Sequence, residues 1–344
     1  MLINEFDYLD EESIEGPKRC SSLNPFLRRV FTFQYSVIAD ILSTNGIKST
    51  QRGFDMADDP GKISKSEPFY ISMTNETTPA YVHGYSERET ERLYDQAGSV
   101  RNLVHQGTSY PPGSKVLEAG CGVGAQTVTL AQNSPEARFY SVDWAEKSLS
   151  LARNVVQSSG INNVEFLQAD IFDLPYEEEF FDHLFVCHLL EHLLEPVAGL
   201  SALRAHAKMG GSLTVFEGDH GSCYFHPQSK EASMAWNCLV EVQRRLGANS
   251  LIGRELYPLI NDSGFRDVRI TPKMVYIDQS LPKLMDSFVS KTIIPMVEGV
   301  KVPALGLGLI DEKSWHKGIH DLHQITRLKE GTFCYTFFKG EACN

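Results

Sequence analysis

Short apolar runs alternate with amphipathic stretches through the middle of the chain. The apolar runs predict strands at 115–119, 137–142, 164–168, 181–187 and 212–217. The stretches between them predict helices at about 124–133, 145–159 and 189–207. This rhythm indicates an α/β fold, in which a doubly wound, mostly parallel sheet carries crossover helices on both faces.

The first 70 residues have a different pattern. A helix is predicted between Asn24-Pro25 and Gly46, with apolar residues at helical spacing at Phe26, Val30, Phe33, Val37 and Ile41. Residues 50–66 are predicted to be a linker. The amphipathic helix could pack on its own domain, form a swapped homodimer contact or dock on a membrane surface. Its few lysines argue against a strong membrane anchor.

The chain beyond residue 217 predicts further elements around the same sheet. Residues 250–270 predict a helix, a glycine stop and a strand; residues 280–327 are mainly helical; residues 331–340 form a closing strand. We therefore divide the chain into an N-terminal extension, residues 1–70, and one α/β domain, residues 71–344. Insertions in that domain are expected at about 218–250 and 278–330.

Charge and cysteine usage exclude several classes of protein. The formal charge is −12, and no basic run is longer than a pair, so we expect no nucleic-acid partner. The seven cysteines are scattered without a CxxC pair, which favours reduced thiols and a cytoplasmic location. The acidic N-terminus is unlike a targeting signal, and no apolar stretch is long enough for stable membrane insertion.

The stretch VLEAGCGVGA, residues 116–125, follows the first predicted strand. Gly120, Gly122 and Gly124 would let a ligand lie against the main chain at the carboxyl edge of the sheet. The spacing differs from a dinucleotide fingerprint and from a Walker loop. Glu118 would repel a pyrophosphate and favour a cation. The loop could instead be a tight strand-to-helix turn that binds no ligand. If it does bind one, the ligand is expected to be nucleoside-like, without phosphates and positively charged.

Acidic and aromatic residues follow the next two strands. Asp143 could accept hydrogen bonds from both hydroxyls of a ribose, and Trp144 could cover an adenine face. Asp170, after the third strand, could accept a hydrogen bond from the adenine amino group. Each acid could instead cap a helix. Because the groups follow successive strands at the same edge of the sheet, we interpret them as one ligand site.

These motifs, together with SVDWAEKSL, FLQADIFDLPYEEEFFDHLFVCHLLEHL, GGSLTVFEGD and LINDSGF, resemble those of class I S-adenosylmethionine-dependent methyltransferases. The chain is most similar to the quinone-methyltransferase-like branch that acts on small molecules. The resemblance covers about residues 80–275 and 331–340. It implies a seven-stranded Rossmann-like sheet, S-adenosyl-L-methionine as cofactor, and a helical lid over the active site.

The resemblance also implies positions for the cofactor. The three glycines would lie beside its methionine part, Asp143 at the ribose, and Asp170 with Ile171 at the adenine. We add Gln126 and Cys187 to the cofactor site. The segment from Tyr81 to Leu93 occupies the place where such enzymes often fold a helix over the cofactor. There, Tyr81 is assigned to the cofactor, Tyr85 to the substrate, and His83 to either; ordinary packing of a capped helix start is the alternative.

The letters HLLEH at 188–192 match a zinc-peptidase pattern, in which His188 and His192 would share a helix face. The same letters occupy the place of a family motif that needs no metal. We therefore expect no metal and assign both histidines to the substrate pocket. Arg254 could bind an acidic substrate group or make a surface ion pair.

The segment EGDHGSCYFHP, residues 217–227, is predicted to be a loop after the fifth strand. His220 is the first candidate for a catalytic base and Glu217 the second. His220, Cys223 and His226 could also ligate a metal but have no obvious fourth partner, and His226 is interpreted as loop packing.

The sequence as a whole indicates SN2-like methyl transfer to oxygen, carbon, nitrogen or sulfur of a small, largely apolar metabolite. The tetrapeptide from Cys187 to Leu190 replaces the motif of enzymes that methylate amino groups of nucleobases or glutamine. Two alternatives remain open. One is a cofactor-binding regulatory protein without methylation; the other is a cyclase or decarboxylase on the methyltransferase scaffold.

Overall fold

A computed structural model describes residues 87–344 of the protein. It contains seven strands: β1 Lys115–Ala119, β2 Arg138–Asp143, β3 Val164–Gln168, β4 Phe181–Cys187, β5 Ala207–His226, β6 Arg266–Ile277 and β7 Thr332–Cys343. The predictions for residues 1–70, and for Tyr81, His83 and Tyr85, lie outside the described residues.

Helices connect these strands. They are α1 Glu87–His105, α2 Thr127–Asn133, α3 Glu146–Ser158, α4 Pro196–Ala205, α5 Lys230–Arg245, α6 Leu256–Asp262, α7 Pro282–Leu284, α8 Ile294–Gly299, α9 Lys301–Gly306 and α10 Glu312–Ile325. A π-helix, Met285–Ile293, joins α7 to α8, and short 3-10 turns lie at Leu190–His192 and Ile252–Glu255. None of the helices in this part of the chain is both long and apolar enough to cross a membrane.

The strands form one sheet in the order β3-β2-β1-β4-β5-β7-β6. β1 to β5 are parallel, and β7 enters antiparallel between β5 and β6. The predicted doubly wound, seven-stranded and mostly parallel sheet is confirmed. Because the first five strands are parallel, their carboxyl ends meet at one edge of the sheet, where ligands bind in open α/β folds.

Alternating side chains along each strand supply two cores, one on each face of the sheet. One core contains Val116, Phe139, Phe185, Phe216, Tyr335 and Phe337 and is covered by residues of α1, α5 and the helices after β6. The other contains Leu117, Tyr140, Leu184 and Val215 and is covered by α4 and α6. The helical segment after β6 therefore packs on the same face as α1, and its π-helix contacts α1 directly.

The prediction of a loop at 217–227 is wrong. β5 continues to His226 by pairing with β7, and the register shifts between Asp219 and Tyr224. The irregularity explains how a polar, glycine-containing segment remains in a strand, because a bulge absorbs residues that do not fit the ladder. His226 pairs with Thr332 in that strand and is not part of a loop.

The predicted helix at 189–207 is also wrong at its start. Pro196 opens α4, as proline suits a first helical position, and only the 3-10 turn Leu190–His192 lies before it. His188 has a φ of 53°, outside the helical region. The two histidines of HLLEH therefore do not share a helix face.

Candidate functional site

The glycine loop joins β1 to α2 at the carboxyl edge of the sheet. Its three glycines have positive φ angles of 73°, 52° and 78° at positions 120, 122 and 124, which other residues rarely adopt. A methyl group added at Gly120 would lie 2.8 Å from the Leu189 side chain, and one at Gly124 would lie 3.0 Å from Ala152. One added at Gly122 would meet no heavy atom within 4 Å in the described structure. Gly120 and Gly124 therefore serve close packing, whereas Gly122 faces open space in which a ligand could lie.

Asp143 ends β2 beside this loop. Its Oδ2 accepts a hydrogen bond from the Gly122 N–H at 2.8 Å, and its Oδ1 accepts one from the Ala145 N–H at 2.9 Å. Burial raises the pKa of Asp143, while these backbone donors oppose the shift. A carboxylate has about four acceptor positions, and the backbone N–H groups of Gly122, Ala145 and Trp144 interact with this one, so about one stays available for a ligand hydroxyl. The side chain fixes the loop and retains some acceptor capacity at the sheet edge.

Glu118 lies below the loop, inside the sheet. Its Oε2 accepts hydrogen bonds from the hydroxyls of Thr127 at 2.7 Å and Ser141 at 2.6 Å, and the residue is 2% exposed. Burial raises the pKa of Glu118 to about 7, and the two hydroxyls oppose the shift. A buried carboxyl of this kind is ionised more readily when a cation lies nearby.

The predicted adenine-side residues lie at the ends of β2 and β3. Trp144 follows β2 with 38% of its surface exposed, so its ring is available to a ligand. Asp170 is exposed, and its Oδ1 accepts a hydrogen bond from the Phe172 N–H at 3.0 Å. Ile171 is buried in the core on the α4 side of the sheet. The structure therefore brings these residues to the predicted edge, with Asp170 capping a turn.

Two further residues assigned to the cofactor site have partners of their own. Gln126 precedes α2, and its Oε1 lies 2.7 Å from His105 Nε2. Cys187 ends β4. Burial raises the pKa of its thiol well above the usual range, and the nearby Glu217 and Glu118 carboxyl groups add to the shift. Both residues lie near the sheet edge, and the Gln126 amide already supports the first helix.

The ends of β4 and β5 carry a second group of polar side chains. His188 follows β4, and its N–H donates to the Phe216 carbonyl at 3.0 Å. Its ring stands edge-on to the rings of Phe216 and Phe337, both with centroids 5.8 Å away. Burial, with positive charge from His192 and Arg92, lowers the pKa of His188 to about 3. His188 is therefore neutral near pH 7.

Glu217 stabilises the turn that follows His188. Its Oε1 accepts the N–H groups of Leu189 at 2.9 Å and Leu190 at 2.8 Å. Its Oε2 is buried and has no hydrogen-bond partner among the described residues. Burial raises the pKa of Glu217 well above its usual range, and the neighbouring Glu191 carboxylate adds to the shift. One ligand atom each from His188, Glu191 and Glu217 lie within 4.8 Å of one another.

His220 forms a pair with a residue from the other end of the chain. Its Nδ1 lies 2.6 Å from the hydroxyl of Tyr335 on β7, and its ring lies 5.8 Å from the ring of Trp236. Its Nε2 is buried without a partner in the described part of the chain. Burial lowers the pKa of His220 to about 3, with smaller electrostatic contributions from His188 and Arg92. The sequence did not indicate Tyr335, because nothing local marks a pairing across 115 positions.

Arg254 and His192 each lie beside an acidic side chain. The Arg254 guanidinium makes two hydrogen bonds to Asp219, from Nε at 2.7 Å and from Nη2 at 2.8 Å, and its role toward a substrate stays a prediction. Asp219 is 3% exposed and precedes the register shift in β5. His192 lies in the 3-10 turn, with its Nε2 3.7 Å from Glu191.

The fold and this edge define a class of protein: a doubly wound α/β domain with a glycine loop after its first strand and acidic residues at the ends of the next two. Residues 111–264 match the sequence model of a family described as a methyltransferase domain. The chain is 30% identical over 151 residues to an uncharacterised methyltransferase of Schizosaccharomyces pombe, covering 41% of this chain and 53% of that protein. It is 25% identical over 146 residues to demethylmenaquinone methyltransferase of Bacillus subtilis, and the alignment covers 40% of this chain and 62% of that protein.

Among solved structures, phosphoethanolamine N-methyltransferase 2 of Haemonchus contortus aligns with a TM-score of 0.47 at 12% identity, covering 75% of this chain and 57% of that one. The chain spans between about half and three fifths of the length of the two curated relatives. Over residues 111–264 the chain is therefore similar to methyltransferase domains.

Proposed function

We propose that the protein transfers a methyl group from S-adenosylmethionine to a small, largely apolar acceptor. The observation that carries this proposal is the pairing of Gly122 with Asp143. The glycine leaves open space beside the loop, and the carboxylate keeps acceptor capacity for a ribose hydroxyl. Both features suit a nucleoside without phosphates.

The charge of the described residues also supports this cofactor. Asp143 would hold the ribose, Trp144 would cover the adenine, and Asp170 with Ile171 would border it. Glu118 would favour the positive charge of the methionine part through the field of its buried carboxylate. When bound, S-adenosylmethionine supplies a methyl group on a positively charged sulfur, ready for displacement.

The acceptor would lie at the ends of β4 and β5. The rings of Phe216 and Phe337 pack against His188, and the ring of Trp236 packs against His220. Apolar walls exclude water and favour an apolar acceptor. The name of the Bacillus subtilis relative specifies demethylmenaquinone as its substrate, which supports the same class here.

His220 would take the proton that the acceptor loses. In the tautomer that carries hydrogen on Nδ1, the ring donates to the Tyr335 oxygen and leaves Nε2 as the acceptor. Burial lowers the pKa of His220 to about 3, so the ring is neutral near pH 7 and accepts a proton only as a weak base. Glu217 is the alternative acceptor through Oε2. Alignment of acceptor and cofactor would supply much of the rate.

Calorimetric titration of the full chain with S-adenosylmethionine and S-adenosylhomocysteine tests the cofactor site. We expect micromolar binding that Asp143→Ala abolishes and that Glu165→Gln leaves unchanged, because Glu165 is an exposed carboxylate paired with Arg138. Well-folded protein that binds neither compound would overturn the proposal.

Transfer is then tested with methyl-labelled S-adenosylmethionine and a panel of quinols, phenols and fatty acids. Label in an extractable apolar product supports the function and its acceptor class. Label only in polar products would refute the apolar acceptor. Tight cofactor binding without transfer to any acceptor would favour the regulatory or cyclase alternatives.

A further inference from the structure

We propose that His188, Glu191 and Glu217 bind a divalent metal cation at the carboxyl ends of β4 and β5. One ligand atom from each residue lies within 4.8 Å of the other two. Ligands at about 2.1 Å from a common Zn²⁺ are at most about 4.2 Å apart, so small side-chain movements would complete the site. The three residues come from a strand end, a 3-10 turn and the neighbouring strand.

Glu217 supplies the observation that sets this cluster apart from an ordinary acidic patch. The residue is 0% exposed, and its Oε2 has no hydrogen-bond partner among residues 87–344. Buried carboxylate oxygens are normally paired, because leaving one without a partner costs folding free energy. A second carboxylate, Glu191, lies beside it with only 15% of its side chain exposed. Two carboxyl groups held this close favour a shared cation.

The backbone holds the three ligands in a fixed arrangement. Glu217 Oε1 accepts both the Leu189 and Leu190 N–H groups, so this residue also fixes the turn that carries Glu191. His188 has a positive φ of 53°, an uncommon conformation for a residue other than glycine, and its N–H is tied to β5. Such local strain is found mainly where the surrounding structure imposes it, often at binding sites.

The ligand set indicates the class of cation. One imidazole and two carboxylates suit Zn²⁺ or Mn²⁺ better than a soft ion, which prefers thiolates, or Ca²⁺, which prefers six or more oxygens. Arg92 brings positive charge to the same neighbourhood, and its guanidinium donates to Gln96 at 2.8 Å. When both carboxyl groups are ionised, their two negative charges exceed the positive charge of the Arg92 guanidinium, so a divalent ion is attracted to the site.

The site differs from the zinc-peptidase pattern in the sequence. That pattern pairs His188 with His192 on a helix. The structure instead brings His188 and Glu191 close to Glu217, which lies in β5, 26 positions after Glu191. The proposal gives Glu217 a role other than that of a base. It does not depend on methyl transfer, but in the proposed function the cation would present its open positions to an oxygen of the acceptor.

Metal binding is measured on the untagged full chain after chelation and dialysis, by calorimetry with ZnCl₂ and with MnCl₂ and by elemental analysis. We expect one tightly bound cation per chain. Glu217→Gln should lower the affinity about tenfold or more, because it removes an anionic ligand while its carbonyl oxygen can still accept from Leu189 and Leu190. His188→Asn should have the same effect, since asparagine tolerates the positive φ.

Glu165→Gln is the matched control, because it removes an exposed carboxylate on β3. Circular dichroism confirms that each variant is folded. Folded wild-type protein that binds neither ion, or binding that both site variants leave unchanged, would overturn the proposal. S-adenosylmethionine binding is measured on the same samples, so failure of the cofactor proposal is seen separately from failure of the metal proposal.

Discussion

Glu118→Gln should remove a pH dependence of stability that the buried carboxyl imposes on the ligand-free protein. The pKa of this carboxyl rises from an ordinary value of 4.5 to about 7 in the folded state, mainly through burial. Below pH 4.5 the group is protonated in both the folded and the unfolded chain. Between pH 4.5 and 7 the folded chain retains the proton and the unfolded chain loses it. The stabilising contribution is therefore full below pH 4.5 and is lost as the pH rises through about 7.

The magnitude follows from the size of the shift. A shift of about 2.5 pKa units corresponds to about 3 kcal/mol of unfolding free energy, since each unit is about 1.4 kcal/mol. Glutamine has no such titration, and its carbonyl oxygen can still accept hydrogen bonds from Thr127 and Ser141. The stability of the wild type relative to Glu118→Gln should thus fall by up to about 3 kcal/mol between pH 4.5 and pH 8.

Urea unfolding at pH 5, 6, 7 and 8 measures this difference for the wild type, Glu118→Gln and the surface control Glu165→Gln. The difference between wild type and Glu118→Gln should change steadily over this range and level off above pH 7. A difference that stays constant with pH would refute the reasoning from burial. A difference that changes in the opposite direction would show that hydrogen bonding outweighs burial at this carboxyl.

The same carboxyl links pH to the proposed cofactor. A cation next to Glu118 favours its ionised form, so the affinity for S-adenosylmethionine should rise as the pH goes from 6 to 8. Glu118→Gln should remove this rise. Calorimetry at three pH values would measure it, and an affinity that is equally pH-dependent in both proteins would contradict a role for Glu118.

Three other substitutions test the packing around the site. Tyr335→Phe removes the hydroxyl next to His220 Nδ1, so it should lower the free energy of unfolding in urea by about 1 kcal/mol. It should also shift the pH profile of methyl transfer. An unchanged profile would contradict a role for the Tyr335–His220 hydrogen bond in the reaction. Arg254→Ala should cost about 1–3 kcal/mol, because Asp219 would stay buried without its guanidinium partner; a loss within about 0.5 kcal/mol would place the pair among ordinary surface ion pairs. Gly318→Ala should cost about 1–3 kcal/mol, since the added methyl group would overlap the backbone oxygen of Glu231 in α5; a neutral result would mean that α10 shifts freely.

The first four strands could be predicted to within one residue because each is a short apolar run bounded by glycine, proline or a polar turn. The predicted end of β5 was wrong because its continuation depends on pairing with β7, more than a hundred residues later. A polar segment such as residues 217–227 carries no local sign of that partner. The start of α4 differs from the prediction for a simpler reason, because Pro196 favours the first position of a helix.

Candidate residues follow the same division. Asp143, Trp144 and Asp170 could be placed from the sequence because each lies at or just beyond the end of a strand whose direction the crossover pattern fixes. The use of Gly122 could not be separated from that of Gly124, because only the structure shows that one faces open space and the other faces Ala152. Tyr335 and the closeness of Glu217 to Glu191 needed the tertiary structure.

This division has a physical basis in how the two halves of the sheet edge are assembled. The half at β1, β2 and β3 is built by βα turns, so each side chain is positioned by its immediate neighbours in sequence. The half at β4 and β5 is completed by β7, which enters antiparallel and brings Tyr335 to His220. Changes in β7 should therefore alter the chemistry of the acceptor half while cofactor binding is retained. Changes in the glycine loop should weaken cofactor binding and leave the acceptor half unaltered. A site with separate cofactor and acceptor halves requires that the two kinds of change act independently.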